Sequence, residues 1–180
     1  MIVLRGIPAA PGVAIGKTIL YDSEELLVPR RAITEEQIPS ELLRLEEALI
    51  QTRHQLLGIQ RRLSDEMGQE HAKIFDAHLL VLEDQTVREE VIAGLKTQRL
   101  NVEAIFHDVI RRYLRAFSRT DDEYLRDRSA DIEDVRKRIL RNLLGRHPAV
   151  LSQFDQPVVV VAHDLAPSET ALMHKKHVLA

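Results

Sequence analysis

The sequence predicts a mainly α fold, an antiparallel helical bundle inserted into an incomplete α/β unit. Three observations predict it. The middle of the chain carries apolar residues at three- and four-residue spacings between helix caps. Both ends instead hold short β-branched or aliphatic runs broken by Gly and Pro. The composition is 44% hydrophobic but only 4% aromatic, so the core is aliphatic. At 180 residues the chain is long enough for one domain or a small pair.

At the start, Gly6, Pro8, Pro11, Gly12 and Gly16 punctuate Val13, Ile15, Ile19 and Leu20, a pattern of short extended pieces joined by turns. Thr34-Glu35-Glu36-Gln37 is a capping box. After it, Leu42, Leu45, Leu49, Thr52, Leu56, Ile59 and Leu63 alternate spacings of three and four. They form a heptad seam whose one polar member is Thr52. Met67-Gly68 breaks that helix. Ile74, Phe75, Leu79 and Leu82 then give a second apolar face, with Leu80 and Val81 on the opposite, exposed side. Val87, Val91 and Leu95 give a short helix fading near Thr97. Asn101 caps a helix bearing Val102, Ile105, Phe106, Val109, Tyr113 and Phe117. Thr120-Asp121-Asp122-Glu123 is a further capping box, opening a helix with Leu125, Ile132, Val135, Ile139 and Leu143 that Gly145 and Pro148 end. Pro157 heads the strand-like run Val158–Ala162. Pro167 and Ser168 open a short helix reaching toward Lys176, and His177–Ala180 begins another strand. The simplest arrangement brings the two extended ends together in one layer, with the bundle between them.

Composition removes several function classes. There are no Cys, which excludes a disulfide scaffold, a zinc ribbon and a Cys nucleophile. A net charge of −3 argues against a nucleic-acid coat or a polybasic membrane anchor. The N-terminus shows no signal peptide and no apolar run reaches about 18 residues, so a cytoplasmic address is expected. Gly16-Lys17-Thr18 lacks the preceding Gly of a phosphate loop and leads into an extended stretch. No His-Glu-x-x-His occurs, the spacing around His71 and His78 is not that of a di-iron bundle, and Lys175 and Lys176 separate His174 from His177. No metal site is expected. The Arg-rich stretch Arg111–Arg146 is interrupted by acids and reads as helix ion pairing.

The charge pattern is more informative. Between Asp65 and Glu90 stand eight acids and two bases, a net of −6, which leaves +3 for the rest. An apolar centre with an acidic rim fits a small basic protein, although the charge count alone is better matched by a solvated acidic helix face.

Four segments resemble enzyme I of the bacterial phosphoenolpyruvate:sugar phosphotransferase system. They are Gly6–Gly16, Phe75-Asp76-Ala77-His78-Leu79-Leu80-Val81-Leu82-Glu83-Asp84, Asp121–Asp131 and Leu165-Ala166-Pro167-Ser168-Glu169-Thr170-Ala171. The family moves phosphoryl from phosphoenolpyruvate to a His of its own and on to the small carrier HPr. The resemblance implies that residues 1–28 begin an α/β phosphohistidine domain and that 29–146 form the helical HPr-binding domain. Residues 147–180 would return to the α/β domain, truncated. It implies an HPr-facing surface of Gln69, Glu70, His71, Ile74, Asp76, Leu80, Val81, Gln85 and Arg128. Gln69 and Gln85 replace acids common in the family, which weakens the expected steering. Thr170 matches a Thr that supports the active imidazole. The phosphoacceptor itself follows a Gly-Gly-x-x-Ser-His pattern expected beyond residue 180, so none of the eight His is nominated and the chain alone is expected to be inactive. The phosphoenolpyruvate- and Mg²⁺-binding barrel, through which the family dimerises, is likewise expected outside the sequence, leaving no cofactor for this chain. A stand-alone helical adaptor that binds a basic partner through the same acidic surface is the alternative.

Overall fold

Thirty residues, Ile38–Met67, form the longest element, α1, and the rest of the bundle packs along it. The structure is a computed structural model describing residues 7, 9–21, 26–119, 123–146, 154, 156–173 and 177–180, with side chains between 123 and 127 left aside. Strand β1 (Lys17–Tyr21) comes first, and a 3₁₀ turn (Glu35–Gln37) leads into α1. Then follow α2 (Gln69–Ala72), α3 (Ile74–Leu82), α4 (Gln85–Gln98), α5 (Val102–Phe117) and α6 (Glu123–Leu143). Strand β2 (Val158–Ala162) and the one-turn α7 (Pro167–Thr170) complete the order.

The heptad seam faces inward as its spacing dictates. Leu45, Thr52, Leu56 and Ile59 are buried, while Leu42, Leu49 and Leu63 pack at the margin. Thr52 is tolerated there because its hydroxyl donates to the Ala48 carbonyl at 2.7 Å and accepts from Asn142 Nδ2 at 2.8 Å. Phe75, Val91, Leu95, Ile105, Phe106, Val135, Ile139 and Leu140 complete one continuous aliphatic-rich core. Helix α1 stops at Met67 because Gly68 takes φ +92°, a region that disfavours side chains.

The two ends of the chain meet. Strands β1 and β2 pair in parallel from Lys17 opposite Val158 to Tyr21 opposite Ala162. Residues 177–180 lie along the other edge of β2, where the Val158 amide donates to the His177 carbonyl and the Leu179 amide to the Val158 carbonyl. The extended course of Lys17–Tyr21 is incompatible with the helix a phosphate loop needs.

Three expectations change. Val81 is not exposed: it is half-buried against the core, whereas Ile74 is 43% exposed and so lies on the outer surface. The two lie seven residues apart on one side of α3, so their neighbours decide: Val81, in the last turn, lies beside Leu45, Leu49 and Val87, whereas Ile74 opens the helix. The helix opened by Pro167 ends at Thr170, shorter than the sequence pattern. Asn101 does not cap α5 with its side chain. Its Oδ1 accepts from the Arg31 amide at 2.8 Å and its Nδ2 donates to the Pro29 carbonyl, stapling the entry segment to the bundle. The cap comes instead from Glu41 on α1, whose Oε2 accepts from the Val102 amide at 2.8 Å. The capping-box residues Thr120–Asp122, together with Gly6, Pro8, Pro148 and 174–176, lie outside the described residues.

Candidate functional site

The outer surface of α2 and α3 combines exposed apolar side chains with unpaired carboxylates. Leu80 is 71% exposed, and Ile74 on the same helix and Met67 at the end of α1 are exposed as well. Gln69, Glu70, His71, Asp76 and Gln85 are all exposed on the same segment. The inner surface of α3 is occupied by Phe75, Ala77 and His78, all buried, so the helix is held from behind while its front stays free. An open hollow of about 450 Å³ lies between the second half of α1 and α2, lined by Gln60, Ser64, Asp65, Gln69 and Lys73 among others.

The acidic character is partly spent within the molecule. Glu66 pairs with Arg62, Glu70 with Lys73, Glu83 with Arg53 and Glu90 with Arg112. Asp84 is the N-cap of α4, accepting from the Thr86 and Val87 amides. Asp65 and Asp76 have no ion-pair partner among the described residues, and Asp76 is positioned by Gln60 Nε2 at 2.7 Å. A larger groove between residues 26–30, α5 and α6 has the opposite sign, being lined by Arg30, Arg111, Arg115, Arg136 and Lys137 against Asp108 and Glu133.

Arg128 sits apart from the α2–α3 surface in sequence but is joined to it from below. Its Nη1 is 3.3 Å from Asp131 Oδ2, and Asp131 in turn faces the His78 ring at 3.9 Å. His78 continues to Asp134 at 3.3 Å, and Asp134 accepts from the Ser168 hydroxyl at 2.7 Å and amide at 3.1 Å. Ser168 also receives Arg138 Nη2 at 2.6 Å. Next to this chain, Tyr21 donates to Glu169 at 2.9 Å and Arg141 reaches the same carboxylate. A buried polar relay thus runs from beneath the exposed helix to α7. Sequence reading missed it, although His78, Asp131 and Ser168 each lie inside a quoted motif. Only tertiary packing reveals that they share one site. Thr170, two residues on, is exposed, and its hydroxyl donates to the Pro167 carbonyl at 2.9 Å. Among the described residues no three His or carboxylate groups are placed to hold a metal ion.

Residues 5–128 match the family model described as PEP-utilising enzyme, N-terminal. The chain belongs to this family. It is 34% identical over 176 residues to a phosphoenolpyruvate-protein phosphotransferase of Haemophilus influenzae, covering 98% of this chain and 31% of that protein. A phosphoenolpyruvate-protein phosphotransferase of Listeria innocua is 39% identical over 178 residues, again 97% of this chain and 30% of the relative. The chain therefore spans less than a third of the length of these curated relatives. Among solved structures, the solution structure titled Enzyme I (nEIt) superposes with a TM-score of 0.81 at 36% identity, covering 94% of this chain and 68% of that one. The N-terminal domain of Enzyme 1 - Nitrogen matches in fold, with a TM-score of 0.66 at 24% identity and 96% and 70% coverage.

Proposed function

We propose that this chain is the partner-docking part of a phosphoenolpyruvate-protein phosphotransferase, and that it receives an HPr-like carrier on the outer surface of α2 and α3. The carrying observation is the exposed Leu80, on a helix whose inner face is buried, with the exposed carboxylate of Asp76 one turn before it. An isolated leucine on a surface needs no explanation, but a leucine 71% exposed on a helix that also exposes Ile74 and Asp76 has the make-up of an interface. The proposed contact residues are Gln69, Glu70, His71, Ile74, Asp76, Leu80, Val81, Gln85 and Arg128. Of these, Val81 contributes from beneath, by holding α3 against the core.

The domain division at 29 and 146 fits this reading, with the helices docking and the paired ends forming the start of a phosphohistidine domain. Thr170 would offer its exposed hydroxyl oxygen to an imidazole brought by the remainder of that domain. The chemistry of phosphoryl transfer needs an imidazole nitrogen and a charge-stabilising site for the moving group. The Mg²⁺ that the resemblance implies has no ligand set among the described residues, and no step here runs through it. The chain by itself docks and does not transfer. The adaptor alternative shares the acidic surface but loses its ground once the family is known.

The test is a titration with an HPr-type carrier followed by amide shifts. Perturbations should centre on residues 69–85, and an undisturbed α2–α3 surface would refute the docking. Incubation with labelled phosphoenolpyruvate should leave the chain unlabelled.

A further inference from the structure

His78 is completely enclosed, at 0% exposure, on the inner face of α3. Both of its ring nitrogens meet groups that can only accept. Nδ1 is 3.1 Å from the Ile74 carbonyl oxygen, and Nε2 is 3.3 Å from Asp134 Oδ2. A neutral imidazole has one N–H, so one of the two contacts would set a lone pair against a lone pair. The imidazolium satisfies both.

The surroundings favour that charge. On α6, Asp134 and Asp131 face the ring, with Arg128 beyond Asp131 and Arg138 one turn past Asp134. On α7, Ser168 holds Asp134 through its amide and hydroxyl, and Glu169 is turned away toward Tyr21 and Arg141. Within α3, Phe75 packs against the ring at 5.2 Å between centroids. Burial opposes the charge. The Asp134 hydrogen bond and charge, the Ile74 carbonyl and Asp131 outweigh it, so the affinity of His78 for its proton rises above the ordinary value of 6.5. Burial likewise acts against the Asp134 carboxylate, but His78, Ser168 and Arg138 hold it below the usual range.

We infer that His78 is a charged positioning residue whose imidazolium, acting through Asp134, strengthens the hold of the helical bundle on α7, and that loss of its proton loosens that hold. Loss of one proton leaves a single N–H on the ring and takes away the positive charge beside Asp134, so the carboxylate keeps at most one neutral hydrogen bond from the α3 side. Ser168 is then held by a less firmly fixed carboxylate, while Arg138 still reaches its hydroxyl and Arg141 still reaches Glu169. The inner face of α3 and the first turn of α7 are thus coupled through one buried proton. This coupling does not depend on which partner docks.

The test is a pH titration of the ¹⁵N-labelled full chain, following the His78 ring nitrogens together with the Ser168 and Glu169 amides. Both ring nitrogens should be protonated at pH 6.5. One of the two should deprotonate, and only above that pH, with the two amides moving at the same midpoint. His78→Gln keeps a donor where Nε2 stood and has no proton to lose. Its Ser168 amide should stay near the low-pH position of the natural protein and show no transition. His78→Asn keeps only the donor to Ile74, so its Ser168 amide should exchange faster by about tenfold or more at every pH, the scale of one charge-assisted hydrogen bond. A single neutral tautomer of His78 at pH 6.5 would overturn the inference. So would a Ser168 amide indifferent to His78 ionisation, a reading the unmutated chain supplies even if a variant does not fold.

Discussion

Replacing Glu41 by alanine should destabilise the bundle far more than a charge on a helix surface ordinarily does. Glu41 is 4% exposed, and it closes the N-terminus of α5 from a different helix by accepting the Val102 amide at 2.8 Å. Removing it leaves that buried amide without a partner, which costs about 1.5–3 kcal/mol for a bond to a charged group. Its ion pairs to Arg44 at 2.9 Å and Arg31 at 3.1 Å add about 1 kcal/mol, because Arg31 is largely solvated and Arg44 keeps Glu103. The total is about 3 kcal/mol. For a chain of this length each kcal/mol lowers the melting temperature by about 2–4 °C, so Glu41→Ala should melt about 8 °C below the parent. Glu41→Gln retains an oxygen for the Val102 amide and should lose only about a third of that. Calorimetry of the three proteins at neutral pH decides the matter. Equal losses for Gln and Ala, or an Ala variant within about 1 °C of the parent, would show that the cross-helix cap contributes nothing.

Gly94→Ala is expected to destabilise by about 1 kcal/mol, because its Cβ would lie 2.6 Å from Ile105 Cγ2 and the crowding exceeds the helix-propensity gain. A urea melt showing stabilisation would mean that α4 and α5 do not approach so closely. Tyr21 is pushed up to about 12 by burial first and then by the charge and hydrogen bond of Glu169. Its contribution to stability is therefore intact below pH 10 and declines as pH rises from 10 toward 12. Ultraviolet titration should show a late phenolate component that Tyr21→Phe removes.

The helices were legible because their signals are local. The seam from Leu42 to Leu63, the Gly68 break and the Gly145 stop all depend on residues within a turn or two of one another. The meeting of the two ends was legible as well, since short β-branched runs need a partner and only the other end offered one. The different exposure of Ile74 and Val81 was not, because the two share one side of α3 and only their neighbours in the fold tell them apart. Cross-helix polar contacts were invisible for a related reason. Glu41 and Val102 are 61 residues apart, and His78 and Asp134 are 56 apart, so no spacing rule connects them. The net charge of the acidic run says more than its surface carries, because Glu83 and Glu90 pair with Arg53 and Arg112 from other helices.

The central claim is that α3 presents Leu80 to a basic carrier, and one comparison of affinities tests it. The dissociation constant for an HPr-type carrier should be measured for the parent, for Leu80→Asp, and for Leu43→Asp, a comparably exposed leucine near the opposite end of α1. Burying a leucine side chain is worth about 1.5–3 kcal/mol, so Leu80→Asp should weaken binding by about tenfold to a hundredfold or more. Leu43→Asp should leave it unchanged. Equal affinities for the parent and Leu80→Asp, with every protein folded, would contradict the account.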